Sequence, residues 1–219
     1  ECPGYVGGIA IKLRAGVEKS CGGPDKDCAT PDNDSLASIG WNIGSCPGFE
    51  GPGCTNSISQ CDDISTCLEC VNEQAVDQAI NLYYGALNPS TAGSALNKCQ
   101  IAIGKATSAF FASKTKALGK CWDARLNGKH SNSCVPPAPG DSKYLDAINN
   151  AETKKIDSIN KSCGLVPFNQ IGFASSCPSV TVPPGGPACG GPVTNLAQLM
   201  ICVDCVTEFK VDCEVTLAV

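Results

Sequence analysis

The sequence predicts a mainly α-helical protein with short β-strands at its termini, in which a long helical hairpin joins two disulfide-rich modules. Three observations carry this prediction: 17 cysteines among 219 residues, two cysteine-rich stretches that resemble each other, and a long amphipathic pattern between them. We expect module 1 over residues 1–90, a connecting helix and turn over 91–134, and a returning helix with module 2 over 135–219.

The cysteine content indicates an oxidising environment, because a reducing cytosol would keep so many thiols exposed to oxidation and metals. We therefore expect a secreted protein, extracellular or at the cell surface. The chain opens at Glu1-Cys2 directly into cysteine-rich sequence, which we interpret as a processed, mature form. An odd count leaves one cysteine outside any set of intrachain pairs. The disulfide candidates are Cys2, Cys21, Cys28, Cys46, Cys54, Cys61, Cys67, Cys70, Cys99, Cys121, Cys134, Cys163, Cys177, Cys189, Cys202, Cys205 and Cys213.

An internal repeat organises these cysteines. KSCG, SCP and a C-x-x-C-V motif follow one another in the same order in both halves, and from Cys54 and Cys189 onward the offset is constant at 135 residues. Duplicated modules are typical of structural, adhesive and binding proteins. We interpret both C-x-x-C motifs as parts of structural disulfides rather than redox dithiols. By order, Cys21, Cys46, Cys54, Cys67 and Cys70 correspond to Cys163, Cys177, Cys189, Cys202 and Cys205, and Cys2 takes the place of Cys134.

The connecting segment carries the clearest helical pattern. Apolar residues recur at spacings of three and four up to about Asn127, and Gly128 is a natural stop. A second pattern over 142–160 predicts the returning helix. Cys99 and Cys121 lie about six turns apart on one face, so we expect disulfides to anchor both ends of the long helix. The candidate N-caps are Ser90, Thr91 and Ser94.

Charge is distributed unevenly along the chain. Residues 94–129 carry seven basic side chains against Asp123, a net charge of +6, whereas residues 21–80 carry ten acidic side chains against Lys26, a net charge of −9. These are either two solvated faces or surfaces that meet within or between subunits. The whole chain has a net charge of −5, so we do not expect nucleic acid as a partner. The sequence also lacks an apolar run long enough for a membrane span.

An acidic loop is the only metal site that the sequence suggests. GGPDKDCATPDND at 22–34 holds Asp25, Asp27, Asp32 and Asp34, and carboxylate oxygens are the ligands that calcium prefers. The spacing does not match a helix–loop–helix calcium site, so a solvated acidic loop is the alternative. We predict no other cofactor. The single histidine, His130, is expected at the surface, and the absence of a catalytic motif predicts that the protein is not an enzyme.

Both ends of the chain show strand-like alternation. In FKVDCEVTLAV at 209–219 every second residue is apolar or cysteine. GGIAIKLRAGV at 7–17 places Ile9, Ile11, Leu13, Ala15 and Val17 on one side of a strand, although it also fits a helix. Such strands could pair within one chain or between chains. One caution is that residues 73–87, the repeat counterpart of the C-terminal segment, look helical. The predicted subunit interface comprises Ile9, Ile11, Leu13, Val215, Leu217 and Val219.

Five segments carry a resemblance to known sequences: KCQIAIGKA at 98–106, KALGKCWDARLNGKH at 116–130, IGFASSCP at 171–178, GGPACGG at 185–191 and CVDCVTEFKVDC at 202–213. Through them the chain resembles an uncharacterised family of secreted, cysteine-rich bacterial proteins with duplicated disulfide-rich modules. The resemblance implies an extracellular, largely helical module that often occurs in tandem. It supplies no activity, ligand or catalytic residue.

Together these patterns favour an extracellular structural protein, the subunit of a self-assembling, disulfide-stabilised filament or surface layer. In this hypothesis terminal segments join neighbouring subunits head to tail into a homopolymer. The alternative is a secreted, monomeric binding or adhesion module for a glycan or protein ligand.

Overall fold

A computed structural model describes residues 6–49, 53–87, 90–136, 139–182 and 186–217. The predicted mainly helical fold is confirmed. Over these residues the helices are α1 (Val6–Cys21), α2 (Cys61–Tyr84), α3 (Ala95–Leu126), α4 (Ser142–Cys163), α5 (Phe168–Ile171) and α6 (Leu196–Leu217). Among the described residues, no helix combines the length and apolarity that crossing a membrane requires.

The chain divides into two compact units, Glu1–Gln78 (unit 1) and Ala79–Val219 (unit 2). Unit 1 contains α1, the acidic loop and most of α2, and it holds the disulfides Cys28–Cys61, Cys46–Cys67 and Cys54–Cys70. Unit 2 contains the helical hairpin and the second cysteine-rich module. The module boundaries predicted near residues 90 and 134 stay predictions.

The hairpin of α3 and α4 is the framework of unit 2. Ser94 is the N-cap of α3, and its side chain accepts a hydrogen bond from the backbone N–H of Asn97. Gly128 follows the helix with φ +70°, a left-handed conformation that glycine adopts at no steric cost. Two disulfides anchor the ends of α3, as predicted: Cys99–Cys163 joins it to the end of α4, and Cys121–Cys134 ties it to the following turn.

The core of unit 2 lies where α6 meets this hairpin. Phe110 and Leu118 of α3 pack with Val211 and Val215 of α6 and with Ile148 of α4. All five side chains are at most 6% exposed. Burial of these apolar side chains holds the three helices together.

The internal repeat is visible as a duplicated local structure. In each unit, two disulfides connect an irregular segment to the helix that follows it, and the same relative cysteines pair. In both copies the C-x-x-C motif sends its cysteines to other parts of the chain, as predicted. The pairs are Cys46–Cys67 and Cys54–Cys70 in unit 1, and Cys177–Cys202 and Cys189–Cys205 in unit 2.

The start of the module helix is duplicated as well. Asp63 accepts hydrogen bonds from the backbone N–H and the hydroxyl of Ser59, both at 2.8 Å, at the beginning of α2. Gln198 accepts the same two bonds from Thr194, both at 2.8 Å, at the beginning of α6. In both copies a side chain of the first helical turn reaches back to the residue two positions before the helix and fixes how the chain enters it.

The β-structure lies elsewhere than predicted. Strands β1 (Ser176–Cys177) and β2 (Gly191–Pro192) form a small antiparallel pair inside module 2, and an isolated bridge between Ser45 and Ser57 takes the equivalent place in module 1. The predicted terminal strands are wrong, because residues 7–17 lie in α1 and residues 209–217 lie in α6.

The error has a physical cause. Five consecutive residues of α6, 209–213, are buried, so this part of the helix is covered on every side and its sequence shows no helical stripe. At the other end, Ile9, Leu13 and Val17 lie four residues apart along α1, which is the helical alternative that the sequence also allowed.

Candidate functional site

A basic groove between α3 and α4 is the candidate functional site. It encloses about 720 Å³. Its floor is made mainly of alanines and Phe110, because small side chains keep the two helices close and leave a shallow channel above them. We call it the lysine groove. The lysines that line it are Lys105, Lys116, Lys120, Lys143, Lys154 and Lys155.

The lysine groove has no carboxylate in its lining. Five of its lysines are exposed, whereas Lys155 is buried. The Lys155 ammonium forms an ion pair with Asp204 of α6 and lies 3.8 Å from the ring centroid of Phe110, a cation–π arrangement. Lys155 is therefore part of the floor, and the exposed lysines give the groove its positive charge.

A second lysine, Lys114, is buried behind the hairpin. Its side chain is 0% exposed, and its ammonium lies 2.8 Å from Asp212 Oδ1 and 3.0 Å from Glu208 Oε1. Asp212 is also 0% exposed. Lys114 is one of the seven basic residues of 94–129, and its burial was not predicted. The sequence does contain a sign of a buried charge network, since Asp204, Glu208 and Asp212 recur every four residues along the apolar helix α6.

Burial changes the protonation of the acidic groups in this network. Desolvation raises the pKa of Asp212 to about 6, although the Lys114 ammonium opposes the rise. Desolvation also raises the pKa of Glu152, with Asp204 adding to the rise, and the pKa of Glu214, where a hydrogen bond from Thr115 opposes it.

These shifts predict that unit 2 is less stable at neutral pH than in mild acid. Between pH 4 and pH 6 the folded protein keeps a proton on Asp212 that the unfolded chain releases, so raising the pH favours unfolding. We expect Asp212 to lower the free energy of unfolding by about 2–3 kcal/mol across this window. Urea unfolding of the native protein and of Asp212→Asn at a series of pH values measures the effect. A slope that is the same in both proteins would contradict it.

The acidic loop does not bring three carboxylates together within the part of the chain that the structure describes. The Thr30 hydroxyl donates to Asp32 at 2.6 Å and lies 3.3 Å from Asp25 Oδ1, while Asp27 Oδ1 accepts from the backbone N–H of Ala29 at 2.9 Å. The Asp34 side chain is exposed, as are those of the other three aspartates. Calcium binding by this loop stays a prediction.

His130 differs from its predicted surface position. The ring is half-buried and lies 5.9 Å from the ring of Tyr144, measured between centroids. A ligand nitrogen of His130 and the Sγ atoms of Cys121 and Cys134 lie within 4.8 Å of one another. Because the two sulfurs are joined in a disulfide, they offer no thiolate to a metal.

The residues predicted as a subunit interface have different environments within their own units. Ile9 and Ile11 are 68% and 69% exposed on α1, and Leu13 is half-buried there. Val215 is buried in the core of its own unit, so it is not a surface residue. Leu217 ends α6, and Val219 lies outside the described residues.

Comparison with known proteins adds no relative: no family model, curated protein or solved structure matches this chain. The resemblance to secreted bacterial proteins therefore stays a prediction, and the candidate site is argued from its own geometry.

Proposed function

We propose that this protein is an extracellular structural protein that assembles head to tail, with the lysine groove of one copy binding the acidic surface of unit 1 of the next. Seven disulfides among the described cysteines fit an oxidising, extracellular location. Residues 6–21 and 196–217 are helical, so the proposed joint is a contact between charged surfaces rather than between terminal strands.

The proposal rests on one observation: the chain carries a basic surface and an acidic surface. The lysine groove presents five exposed lysines and no carboxylate. In unit 1, α2 exposes Glu73 and Asp77 one helical turn apart, with Val76, which is 56% exposed, beside them. An acidic helix face with an apolar residue at its side complements a basic groove with an alanine floor.

This pairing has a consequence for assembly. The two surfaces are different, so a contact between copies is heterologous and leaves one unfilled surface at each end. Growth can then continue into a filament. Because the contacts are between exposed charges, salt at about 0.5 M should weaken them strongly.

Charge reversal tests the lysine groove. We expect Lys116→Glu combined with Lys120→Glu to lower the association constant by at least about tenfold, since repulsion replaces attraction at two positions. Lys98→Glu combined with Lys129→Glu is the matched control, because both lysines are exposed and lie outside the groove lining. Sedimentation velocity over a range of protein concentrations measures the association.

A complementary variant identifies the partner surface. Glu73→Lys combined with Asp77→Lys should assemble poorly alone but associate with the groove variant in a mixture, because the charges are then exchanged. The proposal fails if the groove variant assembles as well as the native protein, or if the mixture associates no better than its components.

A binding module is the second candidate function, and the same groove favours it. Five exposed lysines above an apolar floor suit a sulfated or carboxylated glycan or an acidic protein ligand. A native protein that is monomeric at every concentration, yet binds heparin as a probe and loses this binding in Lys116→Glu/Lys120→Glu, would favour this function over assembly.

A further inference from the structure

Helices α1 and α4 occupy the same place in the internal repeat. Each ends at the cysteine of a KSCG motif, Cys21 in one and Cys163 in the other, and each leads into a cysteine-rich module. The two helices can therefore be compared position by position with a constant offset of 142 residues, the difference between these two cysteines.

The apolar face of α4 is covered by α3. Cys163 forms its disulfide with Cys99 near the start of α3. Ile148 and Ile159 are 3% and 0% exposed on the same side of the helix, and Ala151 packs against the same core. The repeat thus shows what a helix of this type contacts when its partner is present.

The matching face of α1 is covered less than that of α4. Val17 corresponds to Ile159, which is 0% exposed, but Val17 is only half-buried. Ile9 corresponds to Ala151, yet Ile9 is 68% exposed, and Cys21 forms no disulfide with a described residue. Arg14 pairs with Asp62 at the start of α2, but in the described part of unit 1 no helix packs along α1. An apolar helix face and a thiol in register are both left without the partner that their counterparts have.

We propose that α1 forms a hairpin-like pair with a helix of the α3 type supplied by a partner protein, and that Cys21 forms a disulfide with the cysteine near the start of that helix. The bond forms by thiol–disulfide exchange with a small-molecule disulfide such as oxidised glutathione, which takes up the two electrons and leaves as two thiols. The partner is defined by its chemistry: an amphipathic helix rich in lysine and alanine, with a cysteine at the position of Cys99. This pairing uses α1 rather than the lysine groove, so it does not depend on the proposed function.

The geometry of unit 2 explains the position of the cysteine. In an antiparallel pair the last residue of one helix lies beside the first turns of the other, and Cys163 and Cys99 have their Cα atoms 4.7 Å apart in this arrangement. Cys21 is likewise the last residue of α1. A partner helix that covers Ile9 and Val17 would therefore bring its own early cysteine to Cys21.

A peptide spanning residues 90–127, with Cys121→Ser, is the probe. Its Cys99 is supplied as a mixed disulfide with glutathione. The Cys21 thiolate attacks the peptide sulfur, a new disulfide forms between Cys21 and the peptide, and glutathione leaves as the thiolate. Burial raises the pKa of Cys21, with Asp34 adding to the rise, so the thiolate is a minor species and the exchange is followed in mildly alkaline buffer, identical for both peptides.

Docking of the helix should accelerate this exchange by raising the local concentration of the peptide disulfide. The control peptide spans the same residues with Cys99→Ser, and its Cys121 carries the mixed disulfide with glutathione. We expect the adduct to form at least about tenfold faster with the probe peptide than with this control. The control has the same charge and the same helical sequence, but its sulfur lies at the wrong end. Mass spectrometry quantifies the adduct, with the protein in a Cys2→Ser background.

Two variants of the protein separate docking from simple thiol reactivity. Cys21→Ser should form no adduct. Ile9→Lys combined with Val17→Lys keeps the thiol but makes the helix face polar, and it should reduce the rate to that of the control peptide. The proposal is overturned if both peptides react at the same rate, or if Ile9→Lys/Val17→Lys reacts as fast as the protein with the native face.

Discussion

Replacing Lys114 with methionine is expected to lower the free energy of unfolding of unit 2 by about 3–5 kcal/mol, because it leaves a buried carboxylate without its cation. Lys114 and Asp212 are both 0% exposed, and Glu208 is 21% exposed. Glu208 can turn to water when the lysine is removed, but Asp212 cannot. Urea unfolding at pH 7, followed by circular dichroism, measures the loss.

Two further variants decide whether burial of the charge is the cause. Lys116→Met removes an exposed lysine from the same helix and should change stability by less than about 0.5 kcal/mol. Lys114→Met combined with Asp212→Leu removes both buried charges and should recover most of the loss, since apolar replacement of a buried pair is often neutral. A double variant as unstable as Lys114→Met would contradict this explanation.

Loss of the Cys99–Cys163 disulfide is the second large expected effect. The bond closes a sequence separation of 64 residues, so replacing both cysteines with serine should destabilise unit 2 by about 4 kcal/mol through the entropy of the unfolded chain. The Cys121–Cys134 bond closes a separation of 13, and its removal should cost about 3 kcal/mol.

The fluorescence of Trp122 can report on unit 2 alone, in a Trp41→Phe background. Trp122 packs against the core of unit 2, whereas Trp41 belongs to unit 1. Following one unit avoids treating a chain with two units as a single two-state transition. If removing Cys99–Cys163 lowers the free energy of unfolding no more than removing Cys121–Cys134 does, loop entropy is not the main way in which these disulfides stabilise unit 2.

The helical hairpin could be predicted from sequence because its signals are local. Ser94, the spacing of apolar residues and Gly128 act within a few residues of the helix ends. The repeat likewise predicted which cysteines are equivalent. It could not predict which of them pair, since pairing depends on distances that only the folded chain defines.

The terminal strands show the limit of this approach. Alternation over 209–219 describes a half-buried strand, but it is also what a helix buried on all sides can present. The deciding information is tertiary: α3 supplies Lys114 opposite Asp212 and Glu208, so polar residues that look solvent-facing in sequence are enclosed. Among the described residues, Val215 was predicted at the interface but is buried in the core of unit 2, because α6 is enclosed by its neighbours.

For the lysine groove, the sequence predicted its charge but not its shape. The surplus of lysines over 94–129 is visible in the chain, whereas Lys143 and Lys154 come from α4 and join them only through the hairpin. The alanine floor had no signal of its own, because alanines at helical spacing are equally typical of a packed core.

Negative-stain electron microscopy of the native, oxidised protein tests the central claim of assembly most directly, with grids prepared at about 20 mM and about 500 mM salt. The account predicts regular filaments at low salt that dissociate into single particles at high salt, since exposed charges join the copies. Single small particles at both salt concentrations would contradict it.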